Sequence, residues 1–198
     1  MKTLVKVLVL GVIAAFVFTS CAKQPTQAMN DAKASIDAAV QEGADVYAKD
    51  ELKKLNDDNQ AALDEITVQS KKFFKKYGHA KEMLAKLKTD AEAVKALIPA
   101  RKEEAQKNAM AAQEEAKKAV ADAKALLEKA PKGKGTKADI EAMKADLQGL
   151  ETSLTEVQTA IDGADYFGAK DKATVIKDKA MAISDQINKA IEKVKGKK

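Results

Sequence analysis

Of 198 residues a third are charged, with 35 lysines and arginines against 30 acids, one histidine, one cysteine and no tryptophan. A single cysteine excludes a disulfide framework, and a single histidine excludes the zinc sites that need two. Lysines and acids interleave along the chain and Arg101 is the only arginine, a pattern of solvated helix faces that argues against a nucleic-acid partner.

The chain opens with Lys2 and Lys6, an apolar run from Val7 to Val17, then small and polar residues up to Cys21. That is the three-part layout of an export signal, and the run is shorter than the about 20 apolar residues of a membrane-spanning helix. Residues 1–20 are therefore set apart from the fold, which lowers the net charge from +5 to +3.

Phe18-Thr19-Ser20-Cys21 resembles the bacterial lipobox, with Phe18 standing where leucine is usual. The resemblance implies a lipoprotein, acylated on Cys21 and cut on its amino side. Ala22, in place of an aspartate, implies by analogy with enteric lipoproteins the periplasmic side of the outer membrane. At about 0.8 kcal/mol per buried methylene, several acyl chains make such an anchor effectively permanent. Residues 21–27, with Pro25, are expected to form a tether.

The body is rich in alanine, lysine, glutamate and leucine, and only Pro25, Pro99 and Pro131 interrupt it. This predicts an all-α fold, an elongated antiparallel helical bundle or coiled coil with two related helical hairpins. Residues 28–77 are expected to form the first hairpin. Leu52, Leu55, Ile66 and Phe73 share one helix there, and Asn59 and Gln69 dilute its seam.

Residues 78–130 are expected to be kinked central helices. Ala80, Leu84, Leu87, Ala91, Val94 and Ile98 keep a heptad, with breaks predicted near Gly78 and at Pro99, which removes an amide donor. Beyond Pro99 the seam is Ala105, Ala109, Ala112, Ala116, Ala119, Ala123 and Leu126, so a partner backbone can come close. Pro131 and Lys132–Gly135 form a turn.

Residues 136–195 are the second hairpin. Thr136 is its expected cap, followed by a seam through Ile140, Met143, Leu147, Leu150, Leu154, Val157 and Ile161. The return helix carries Ala173, Ile176, Ala180, Ile183, Ile187, Ala190 and Val194.

The hairpins repeat one another. Gly43-Ala44-Asp45-Val46-Tyr47-Ala48-Lys49-Asp50 recurs as Gly163-Ala164-Asp165-Tyr166-Phe167-Gly168-Ala169-Lys170-Asp171, which requires one inserted residue, after which Leu55 and Ile66 match Ile176 and Ile187 at a spacing of 121. Residues 25–66 also resemble an alanine-rich helical domain family of bacterial lipoproteins, without assigned chemistry. The matching residues are Ala32, Ile36, Ala39, Gly43, Ala44, Tyr47, Ala48, Glu51 and Leu52, with Lys49 where that family usually has proline.

Residues able to do chemistry are sparse. His79 has one carboxylate at helical spacing, Glu82, and lacks the partners of a triad. Asn56-Asp57-Asp58-Asn59 is oxygen-rich but has neither the glycine nor the glutamate of a calcium loop. Glu103-Glu104 and Glu114-Glu115 are each followed by lysines three or four residues on, as salt-bridged exposed faces are. No enzymatic activity and no cofactor is expected.

The expected role is structural or adaptor: an anchored helical protein acting through helix-helix contacts with a helical partner or with itself, and bound to the membrane through its acyl group. Tyr47, Tyr166 and Phe167 at the repeated turns are candidate partner contacts, set against the simpler reading that they plug the hairpin ends. Architecture also resembles the murein lipoprotein, which implies Lys198 or Lys197 as a possible peptidoglycan link. The alternative is an accessory module in which Phe73, Phe74 and Tyr77 line an apolar groove for a lipid or protein helix.

Overall fold

A computed structural model of the chain describes residues 23–130 and 137–195. The segment expected to be an export signal, Cys21, Thr136, the turn expected over 131–135, and Lys197 and Lys198 lie outside the described residues, as does the side chain of Val194. Among the described residues the fold is all-α, with six helices packed against one another: α1 Thr26–Gln41, α2 Ala44–Tyr47, α3 Lys49–Ser70, α4 Gly78–Glu128, α5 Lys137–Asp162 and α6 Tyr166–Lys195. The chain divides into two compact units, with the boundary after Arg101.

In the first unit α1, α2, α3 and the leading part of α4 enclose one core. Ala32, Ile36 and Ala39 meet Leu55, Ala62 and Ile66, and the heptad from Ala80 to Ile98 closes the third side, every one of its six expected members being buried. Burying this apolar surface is what holds such short helices in place, since helices of this length are marginal alone. Helix α1 begins at Thr26, inside the segment expected to be a tether, and Pro25 is buried just ahead of it.

The expected break at Pro99 does not occur: α4 continues from Gly78 to Glu128 with the proline inside it. An internal proline costs about 3 kcal/mol through the lost amide bond and a clash one turn back. Here Val94, Ile98 and Ala105 are buried on either side of it, and that burial holds the helical path. The expected break near Gly78 is a seven-residue loop, residues 71–77, between α3 and α4.

In the second unit the trailing part of α4 packs with α5 and α6. Leu147, Leu150, Val157 and Ile161 on α5, with Ala173, Ile176, Ala180, Ile183 and Ile187 on α6, are buried as their spacing predicts. On α4 the buried positions are Ala105, Ala109, Gln113, Ala116, Val120 and Ala123. Gln113 and Val120 thus replace the expected Ala112 and Ala119, which are only half-buried. A straight helix turns every 3.6 residues, so a strict heptad drifts off the seam by about one position.

The polar member of that seam is satisfied. Gln113 Nε2 donates to Gln158 Oε1 (3.0 Å), and Lys117 Nζ donates to Gln113 Oε1 (3.3 Å). A buried amide without partners would be costly, whereas here it ties α4 to α5. Charged pairs also cross between these helices, Lys124 with Glu151 (2.7 Å), Lys177 with Glu115 (2.9 Å) and, more loosely, Lys172 with Glu156 (3.9 Å).

Candidate interaction surfaces

The repeated turns are built differently. At the first, Gly43 takes φ +104°, and its amide donates to the Val40 carbonyl (2.9 Å). A Cβ at this position would meet the Tyr47 ring, so glycine is required by both conformation and space. The chain then makes the single turn of α2, breaks at Ala48 (φ −143°, ψ 46°), and starts α3.

At the second turn the left-handed residue is Ala164, with φ +60°, not a glycine. Asp165 donates its amide to the Ala160 carbonyl and Ala164 to that of Ile161, both at 2.9 Å, the paired bonds of a Schellman helix end. Asp165 Oδ1 accepts from the Gly168 amide (3.0 Å) and caps the start of α6. The matching backbone positions are therefore Gly43 and Ala164, at a spacing of 121, and no residue is inserted between the hairpins. The same spacing pairs the buried Ile36 with Val157, Ala48 with Ala169 and Ala62 with Ile183.

Arg101 fastens the first turn. Its Nη1 donates to Glu51 Oε2 (2.9 Å) and to the Tyr47 carbonyl (3.0 Å), while Nη2 donates to Glu51 Oε1. The fork joins the last residue of the first unit to the start of α3, bridging the break at Ala48. The guanidinium bonded to Glu51 holds that carboxyl at about 2, aided by the backbone amide of Glu51. Nothing in the sequence pairs residues 50 apart; the one signal is that Arg101 is the only arginine.

The expected partner-contact residues separate. Tyr77 is 4% exposed and belongs to the first unit's core, while Phe73 and Phe74 are 82% and 66% exposed. The groove expected from these three does not form, and Phe73 lies in the loop instead of on the α3 seam. The two rings stack edge to face with centroids 5.0 Å apart. Tyr47 is half-buried, Tyr166 is buried and Phe167 is 49% exposed, so Tyr166 packs its hairpin end as a plug would.

Lysines 71, 72, 75 and 76 flank the stacked rings, and all four are exposed. Gln69, the residue that dilutes the α3 seam, anchors the loop. It is buried, its Oε1 accepts a long bond from the Lys76 amide (3.4 Å), and its Nε2 donates to Glu65 (2.7 Å).

The residues weighed for chemistry are engaged otherwise. Lys53 and Lys54 pair with Asp57 and Asp58, so the oxygen-rich stretch is an ion-paired helix face, and their ammonium groups are raised by those carboxylates. Glu103 pairs with Lys107 and Glu114 with Lys117, as spacing predicts, but Glu115 reaches across to Lys177 on α6. His79 is exposed at the start of α4. Among the described residues no group of three or more histidine, cysteine or acidic side chains is placed to hold a metal ion, and no helix is long and apolar enough to cross a membrane. Compared with protein-family models, with curated proteins and with solved structures, the chain matches none.

Proposed function

We propose that this chain is a lipid-anchored helical protein of the bacterial envelope, attached through Cys21 at the periplasmic face of the outer membrane. Its role there is structural or adaptor, exercised by helix-helix contacts with a helical partner or a second copy. The observation that carries the reading is the position of the lipobox-like cysteine relative to the folded body. The sequence places Cys21 two residues before Lys23, and α1 begins at Thr26 with Pro25 already buried. An acyl group on that cysteine would attach to a helical bundle with almost no leash, holding the body against the membrane surface.

The test is the intact mass of the protein from its native membranes, with peptide maps of both ends. A mass beginning at Cys21 with added acyl chains is expected, and the Cys21→Ala variant should leave the membrane fraction. An unmodified N-terminus would overturn the anchor. The same map tests the sharper version of the role, since a muropeptide on the C-terminal peptide would assign the link to Lys198.

A further inference from the structure

The two phenylalanines of the loop between α3 and α4 are the most exposed large apolar side chains among the described residues. Six successive residues, Lys71 to Lys76, present two aromatic rings between two pairs of lysines, with no acid among them. A ring pair left in water has an unfavourable hydration that a partner surface would remove. The lysine collar selects an anionic partner, because neighbouring ammonium groups repel one another until opposite charge comes close.

The fold places this loop where an anchored chain would meet its membrane. Helices α1 and α3 pack against each other and are joined through the Gly43 turn, so they run antiparallel and their remote ends lie together. Those ends are Thr26 and Ser70. Helix α3 has 22 residues against 16 in α1, a difference of about 9 Å at 1.5 Å per residue, so the loop stands beyond the start of α1. The exposed Lys23, two residues from Cys21, arrives at this same end.

We infer that the Lys71–Lys76 loop is a second membrane contact, in which Phe73 and Phe74 enter the headgroup boundary of an anionic phospholipid bilayer while the four lysines pair with lipid phosphates. Amphipathic aromatic and basic side chains favour that depth, where rings reach acyl chains and ammonium groups stay in the polar layer. The choice of a bilayer as occupant rests on the anchored reading above. Several acyl chains hold the attachment but leave the bundle free to swivel about it, and a basic aromatic patch beside them fixes its orientation.

The chain lacks tryptophan, so Phe73→Trp introduces one reporter into the full-length protein. On vesicles containing phosphatidylglycerol its emission should shift to the blue and be quenched by brominated lipid chains, and on pure phosphatidylcholine both effects should weaken. Val46→Trp, exposed at the Gly43 turn end of the same unit, should show neither effect. Replacing the four lysines by glutamine in the Phe73→Trp background should lower the partition constant for the anionic vesicles by about fivefold per lysine. A reporter that keeps the emission of an exposed indole on vesicles that carry the protein would overturn the inference. So would a blue shift without vesicles that grows with protein concentration, since a second copy would then cover the rings. The intact mass decides the anchor independently, because the reporter reads the loop whether or not Cys21 is acylated.

Discussion

At the first hairpin turn the left-handed residue is Gly43 and the next helix breaks at Ala48, whereas at the second it is Ala164 and α6 starts cleanly behind Asp165. Both turns reverse the chain at equivalent positions of a repeat. In the first, glycine supplies the conformation without strain, and a distant arginine steadies the interrupted helix start. In the second, alanine bears the strain while a local carboxylate organises the helix start. The repeated feature is therefore the backbone position and its buried neighbours, and the polar chemistry securing it is interchangeable.

The largest effects are expected from swapping glycine and alanine at the two turns. Gly43→Ala should destabilise the first unit by about 2 kcal/mol, because a left-handed alanine is strained and its Cβ meets the Tyr47 ring. Ala164→Gly should act in the opposite direction, adding about 0.5 kcal/mol once the extra freedom of an unfolded glycine is discounted. Urea denaturation followed by helical circular dichroism reads both. Equal signs at the two sites would mean that they are not equivalent.

Removing the device peculiar to each turn comes next in size. Asp165→Ala should cost about 1 kcal/mol as a lost helix cap. Arg101→Ala should cost about 1 kcal/mol, since water screens a fork this exposed. The contribution of the fork depends on pH. Glu51 has its carboxyl lowered from 4.5 to about 2, so the contribution of the fork is complete above about 4.5 and disappears as pH falls toward 2. The gap between the wild type and Glu51→Gln, measured by urea midpoints at successive pH values, should close over that interval. A gap that widened on acidification would refute the sign.

The smallest effect is expected at Glu115→Gln, which removes the exposed pair with Lys177. The Lys177 ammonium is raised by hydrogen bonding to that carboxylate, and the pair is open to solvent. Its loss should move the denaturation midpoint slightly at low salt and not at all at high salt.

Much of the fold was legible because the seams are periodic. The six positions from Ala80 to Ile98 and the buried members of the α5 and α6 rows follow from spacing alone, while Ile140, Met143, Leu154 and Ala190 on the same rows are only half-buried. Pro99 was misleading because a local rule about amide donors was outweighed by burial on both sides of it. The inserted residue was an artefact of letters: Gly163 matches Gly43 in name, while Ala164 matches it in backbone. Arg101 and Glu51, 50 residues apart, leave no local trace, and Gln69 looked like a flaw in a seam when it holds a loop. Phe73 fits a helical period on paper, yet it and Phe74 sit in a run with four lysines whose like charges resist packing into a core.

The buried alanines carry a consequence for inheritance. Ala39, Ala62, Ala80, Ala91, Ala109, Ala116, Ala123, Ala169, Ala173 and Ala180 are wholly enclosed, so even one added methylene at any of them would press on a neighbouring helix. In a saturation library of this chain the least tolerant sites should therefore be these chemically plain ones, while the charged faces between them accept nearly any letter. Descendants would drift quickly in overall identity and keep a sparse ladder of small residues.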